Sequence, residues 1–187
     1  MNDSWYLRSS AYYVNDSEAS AYPNRQGDVF EGIEVNGERW NACQLVHPTC
    51  ELAKGAVKQL HVIRVHSIAE VADKNQQSAI CTGWTEKDGQ IRVAFAHTFF
   101  LAPVRSVAGG DPLFSNFREI AQIDRELILD GHRVASLTHE ARVSFIRRMI
   151  YFAYRMRFAF NQVQEWEAAR IAADPDFQGP KPAWATK

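Results

Sequence analysis

Three sets of residues have types and spacings that chemistry can use. Cys43, His47 and Cys50 lie close together, and thiolates and imidazoles are good zinc ligands. A closed structural site takes about four ligands. Cys81 or His97 would have to complete it, and the spacing is not that of a zinc ribbon or finger. Cys50 is also a candidate nucleophile. It follows His47-Pro48-Thr49 in a turn just past a strand end, with His47, His66 or His97 as the base such a thiol needs. The plainer account, cysteines packed as small hydrophobes, is the stronger one, and neither a metal nor a cofactor is expected.

The remaining set is a run of arginines. Arg142, Arg147, Arg148, Arg155 and Arg157 are interleaved with Phe145, Tyr151, Phe152, Tyr154, Phe158 and Phe160. Guanidinium groups with aromatic neighbours suit phosphate contacts and base stacking. At about 100° per residue these arginines spread around much of a helix, so stems snorkelling beside an apolar stripe are the plainer account. A dimer interface is the third reading, because aromatics all round a helix leave more apolar surface than one body covers.

The elements that must carry these residues are mostly strands. Val29–Val35 alternates, Asn36-Gly37 is a strong hairpin turn, and Trp40–Val46 returns until Pro48 stops it. Leu60–Val65 is a third strand, and Val71–Ala79 is a short helix or a loop. Ala79–Trp84 and Ile91–Phe100 flank the turn Lys87-Asp88-Gly89 as another hairpin, Ala108–Pro112 is a loop, and Arg118–Leu129 is a strand or short helix. From Thr138, a plausible N-cap, apolar residues recur at spacings of three and four: Val143, Ile146, Met149, Ile150, Ala153. The fold class expected is mainly β with helices (α+β), a small SH3-like β-barrel followed by one long C-terminal amphipathic helix. The organisation expected is an N-terminal arm over 1–25, the body over 26–137, the helix over 138–173 and a flexible tail over 174–187. A helix of that length is on the order of 50 Å at 1.5 Å per residue, so its far end projects or meets a partner.

Bulk properties narrow the function classes. A net charge of −1 gives no whole-molecule attraction to nucleic acid or membrane. The charge is uneven, with three Arg against seven Asp/Glu in residues 1–40 and five Arg against Glu140 alone in 139–160. The opening MNDSWYLRSS has neither a basic n-region nor an apolar h-region, and Arg155 and Arg157 interrupt the most apolar stretch. Three cysteines with no export signal are expected as reduced thiols. The expectation is a cytoplasmic protein with no membrane partner.

Four pieces of the chain resemble the MazF/PemK-like endoribonuclease toxins, small SH3-like barrels with terminal helices. Gln26-Gly27-Asp28-Val29-Phe30 is similar to that family's first strand, and Gly37–Val46 resembles its second, with Trp40 where the family has proline. Leu60–Ser67 is similar to the third strand, and Ser115–Leu127 to the late Q-[IL]-R-T-[IV]-D-[KR] stretch. The insertion His47–Gly55 has no counterpart in the family, and the final helix is longer and more basic. The resemblance implies metal-independent RNA cleavage by an arginine and a hydroxyl, which carry over to Arg39 and Ser67. His66 beside Ser67 is a candidate general base. Arg118, Arg147 and Arg148 are candidates for holding phosphate or a partner. The partners implied are RNA, a second copy of the chain in a homodimer, and an antitoxin-like protein. The alternative is a non-catalytic binding module that assembles through its helix; a barrel that kept the fold and lost the cleavage would look the same.

Overall fold

The computed structural model describes residues 12–55, 57–87, 90–128 and 132–154, without the side chains of residues 16, 17 and 84–93. Strands β1 (Val29–Val35) and β2 (Glu38–Leu45) form the expected hairpin. Asn36 and Gly37, at φ 52 and 81, supply the left-handed pair that a tight turn of this twist requires. Strict alternation would send Phe30 and Ile33 to opposite faces. Gly32, at φ 65 between them, reverses the alternation, and both side chains join one apolar cluster.

Strands β3 (Gln59–Ser67), β6 (Thr98–Leu101), β7 (Leu113–Asp124) and β8 (Arg133–Ala135) complete an antiparallel six-stranded sheet of order β6-β7-β3-β2-β1-β8. One face gathers Val29, Ala42, Ile63 and Val65 with Leu101, Leu113, Leu137 and Phe145. The other gathers Phe30, Cys43, Leu45, Leu60, Val62 and Ile123 with Leu52 of the helix α2 (Thr49–Ala53). Central strands buried on both sides explain why Ala42-Cys43-Gln44-Leu45 is an unbroken buried run.

The barrel expected from the sequence is not closed. β6 and β8 are the two edges of the sheet, and β8 is a three-residue strand pairing only with Val29 and Phe30. A helix covers the first face instead: α4 (His139–Tyr154) inserts Ala141 and Phe145, with Ile146, Met149 and Phe152 packed at the cluster's margin. Thr138 caps it as expected, its hydroxyl accepting the Ala141 N–H at 3.2 Å. The rest of the expected long helix, Arg155 and Arg157 included, lies outside the described residues, as does the tail.

Residues 12–25 are body rather than arm. Tyr12 is 1% exposed in the first cluster, Tyr13 bridges to Leu137, and the Tyr13 hydroxyl donates to the Ala102 carbonyl. The aromatic rings of this polar segment supply apolar area that the short β8 cannot. Arg133 ties it down further, donating to the carbonyls of Ala19 and Tyr22 at the end of helix α1 (Asp16–Ser20) and to buried Asp28.

Between β3 and β6 runs helix α3 (Lys74–Thr82), capped by Asp73 and ended by Gly83 at φ 72. It takes residues 79–82 that the sequence suggested as strand, and its last turn sets Ile80 and Cys81 into the core. Only β4 (Trp84–Lys87) and β5 (Gln90–Val93) pair as the hairpin, in a separate two-stranded sheet. The 118–129 stretch is strand to Asp124, then a 3-10 turn over Arg125–Leu127.

Phe145 is fully buried against Phe99 and Phe117. Phe145→Ala should lower unfolding free energy by about 3–5 kcal/mol, measured by urea denaturation; a loss below about 1 kcal/mol would remove α4 from the core.

Candidate functional site

The middles of β2 and β3 are buried in the two apolar clusters, and polar side chains gather where strands end or lose register. One such place is where β3 ends beside β7. The two strands pair in register from Gln59↔Asp124 to Ile63↔Ile120, then resume at Val65↔Ser115. Arg64 alone therefore faces Asn116, Phe117, Arg118 and Glu119, a bulge of the kind found next to functional sites.

The bulge delivers Glu119 to β3. Its Oε1 accepts from His66 Nε2 at 3.0 Å and from the Asn116 amide, and its Oε2 lies 3.9 Å from Arg64 Nε. Arg64 Nη2 pairs with Glu38 Oε1 at 2.8 Å, and the guanidinium lies 5.5 Å over the Trp40 ring. His66 Nδ1 meets Glu70 Oε2 at 2.9 Å, and the ring stacks on Phe114 at 5.4 Å. Each ring nitrogen of His66 thus has a carboxylate oxygen within hydrogen-bond distance. The result is a continuous chain of polar contacts, Glu38–Arg64–Glu119–His66–Glu70, across β2, β3, β7 and the 3-10 turn Ile68–Glu70.

Of the residues singled out from the sequence, His66 is at the centre of this chain and Ser67 is next to it. Ser67 is 7% exposed; its hydroxyl accepts the Ala69 N–H at 3.1 Å and donates to Asp111 at 3.3 Å, while Glu70 closes a capping box on the Ser67 N–H. Arg39 is exposed at the start of β2, at the same end of the sheet, its guanidinium lying over Gly32, where a Cβ would stand 2.8 Å from it. Arg118 is exposed on the bulge itself. The α4 arginines are elsewhere. Arg148 donates to the carbonyls of Thr98, Gly83 and Ala94, which joins α4 to the chain around β6. Arg147 is half-buried on the same helix and makes no hydrogen bond or ion pair among the described residues.

Arg64, Glu119, Glu38 and Asn116 lie within the stretches that resemble the toxins, but the sequence singled out none of them for a role. A charged residue at every second position of a strand end, Arg64-x-His66, is the one signal the sequence offered. Glu119 had none, because its approach depends on the bulge.

The cysteines do not converge. Cys43 packs in one cluster and Cys81 in the other, on opposite sides of the sheet, and Cys50 is exposed. No group of three or more potential ligands is gathered among the described residues. Burial pushes the Cys43 and Cys81 thiols up to about 12. His47 stacks on His61 at 5.8 Å, and burial followed by the His61 charge holds His47 below the ordinary imidazole range. His97 is lowered too, first by burial and then by Arg118 and Arg148.

Among the described residues no helix is long and apolar enough to cross a membrane. Compared with known proteins, the chain matches no protein-family model and no curated protein.

Two predictions follow from these environments. In the native protein at pH 8, iodoacetamide should modify Cys50 alone, and denaturant should expose Cys43 and Cys81, read by intact mass. A native adduct on Cys43 would contradict its burial. His97, depressed in the folded state, binds its proton less readily there than when unfolded, so stability should fall as pH drops through and below 6.5. His97→Gln should flatten that fall in thermal melts between about pH 7 and 5; an unchanged slope would count against the assignment.

Proposed function

We propose that this protein acts on RNA, as a metal-independent endoribonuclease whose site is the β2–β3–β7 end of the sheet. The observation that carries the reading is the contact of Glu119 with His66 beside Arg64, with the exposed cations Arg39 and Arg118 at the same end of the sheet and on the bulge. It is supported by sheet topology: the four pieces resembling the MazF/PemK-like toxins are β1, β2, β3 and β7, four consecutive neighbours in one sheet.

Cleavage of RNA without metal needs a base for the ribose 2′-hydroxyl, an acid for the 5′-oxygen, and positive charge near the phosphorus. Glu119 takes the hydroxyl proton, the 2′-oxygen attacks phosphorus, and the bond to the 5′-oxygen breaks as His66 returns a proton to it. A cyclic phosphate and a free 5′-hydroxyl result. The hydrogen bond between Glu119 and His66 then lets the proton pass back and resets the pair. Arg39 and Arg118 neutralise phosphate charge. Ser67 holds the 3-10 turn that keeps Glu70 on His66. A cytoplasmic location, a homodimer and an antitoxin-like protein partner belong to the same proposal.

The second reading is an RNA- or protein-binding module without cleavage. It is favoured by one observation: both His66 nitrogens are engaged by carboxylates, so one contact must open before the ring can serve a substrate.

Purified protein in EDTA should cleave a labelled mixed-sequence RNA, and Arg39→Ala/Ser67→Ala and His66→Gln should each lower the rate by about 100-fold or more. Binding without cleavage by the wild type would select the second reading. Neither binding nor cleavage would end the proposal.

A further inference from the structure

We infer that Asn116 is the positioning residue of this site, the group that turns a distortion in β7 into a fixed direction for Glu119. The inference rests on the ribonuclease reading for its consequence in rate, and on geometry alone for its consequence in structure.

The bulge is anchored at its start and in its middle. Asn116 pairs with Thr98 of β6, and the next residue, Phe117, is 5% exposed, donates its N–H to the His97 carbonyl at 2.7 Å and packs on Phe145 and Phe152. With Phe117 pinned in the core, Arg118 faces solvent and Glu119 turns back towards β3. What fixes that last turn is the Asn116 side chain. Its Oδ1 accepts the Arg118 N–H at 3.2 Å, and its Nδ2 donates to Glu119 Oε1.

These two contacts demand an amide. The Arg118 N–H only donates and an ionised carboxylate only accepts, so their common partner must accept at one atom and donate at another. Asparagine does both; aspartate would keep the contact to Arg118 and repel Glu119. Without the amide proton, Glu119 Oε1 loses its neutral donor, and its place on His66 Nε2 is left to the imidazole and the longer 3.9 Å contact with Arg64. A misplacement of about 1 Å at a reacting group can cost about 100-fold in rate. Asn116 acts through Glu119, so its role is positional.

Asn116→Asp separates the two contacts. The variant should stay folded, because the bulge's own hydrogen bond to Arg118 survives. By 15N-edited proton NMR at low temperature, the wild type should show a hydrogen-bonded His66 Nε2 proton that is absent in Glu119→Ala and in His66→Gln. Asn116→Asp should lose that signal, and its RNA cleavage in EDTA should fall by about 100-fold in kcat with KM changed by less than about threefold. Asn116→Ala, which adds no charge, should show the same loss of signal and so guards against misfolding of the aspartate variant. If both variants keep the ring proton, the inference is overturned. If the wild type does not cleave RNA, the ribonuclease reading fails while the ring-proton comparison still decides the role of Asn116.

Discussion

The middles of the central strands are buried in two apolar clusters, one on each face of the sheet, and that constraint arranges much of the rest of this protein. The middles of β2 and β3 alternate between two apolar clusters, so their polar side chains meet solvent mainly towards the strand ends. Titratable groups are pushed to the strand ends, to the turn after β3 and to the bulge in β7. The chain Glu38–Arg64–Glu119–His66–Glu70 occupies those places. The same constraint makes the few polar groups inside the body expensive to leave unpaired. Gln44 donates to the Gly27 carbonyl and accepts from Ser115, and both are fully buried.

The opposite end of the hairpin is held by a second polar unit of a different character. Asp28 accepts from Ser136 at 2.6 Å, from the Arg25 N–H at 2.8 Å and from Arg133 at 3.2 Å. Burial pushes its carboxyl up, against the opposing pull of those contacts. Arg25 returns to Ser136 and stacks on Tyr22, so residues 12–25, β1 and β8 are joined through one carboxylate. Removing one partner of such a unit strands a buried charge, which costs more than the pair contributes. The unit is closed upon itself, whereas the chain around His66 runs along an edge where Glu70 and Glu38 are more than half exposed. That contrast separates a closed, buried unit at one end of the sheet from an open, solvent-facing one at the other.

Local signals made part of this visible in the sequence. Asn36-Gly37 announced the first hairpin because few other residue pairs adopt its backbone, and Thr138 announced α4 because a hydroxyl there satisfies a helix N–H. The α+β class followed from the same signals. Closure into a barrel did not, because it depends on whether β8 and β6 meet, and no local pattern encodes that. The role of Tyr12 was hidden by its polar neighbours. His66 could be singled out from the strand it ends, but Glu119 lies 53 residues away along the chain and reaches it only through a register shift. The arginines of α4 looked like phosphate ligands by composition; Arg148 instead fills the carbonyls of three backbone positions, a use of guanidinium geometry that composition does not reveal.

The central claim is that the groups around His66 form one unit directed at RNA, and it can be read without catalysis. Titration of the isotope-labelled protein with a short RNA made uncleavable by 2′-O-methylation should shift the NMR signals of Arg39, Arg64, His66, Arg118 and Glu119 together, with one affinity that weakens as salt rises. Shifts confined to α4, or none at any of these five residues, would contradict the claim.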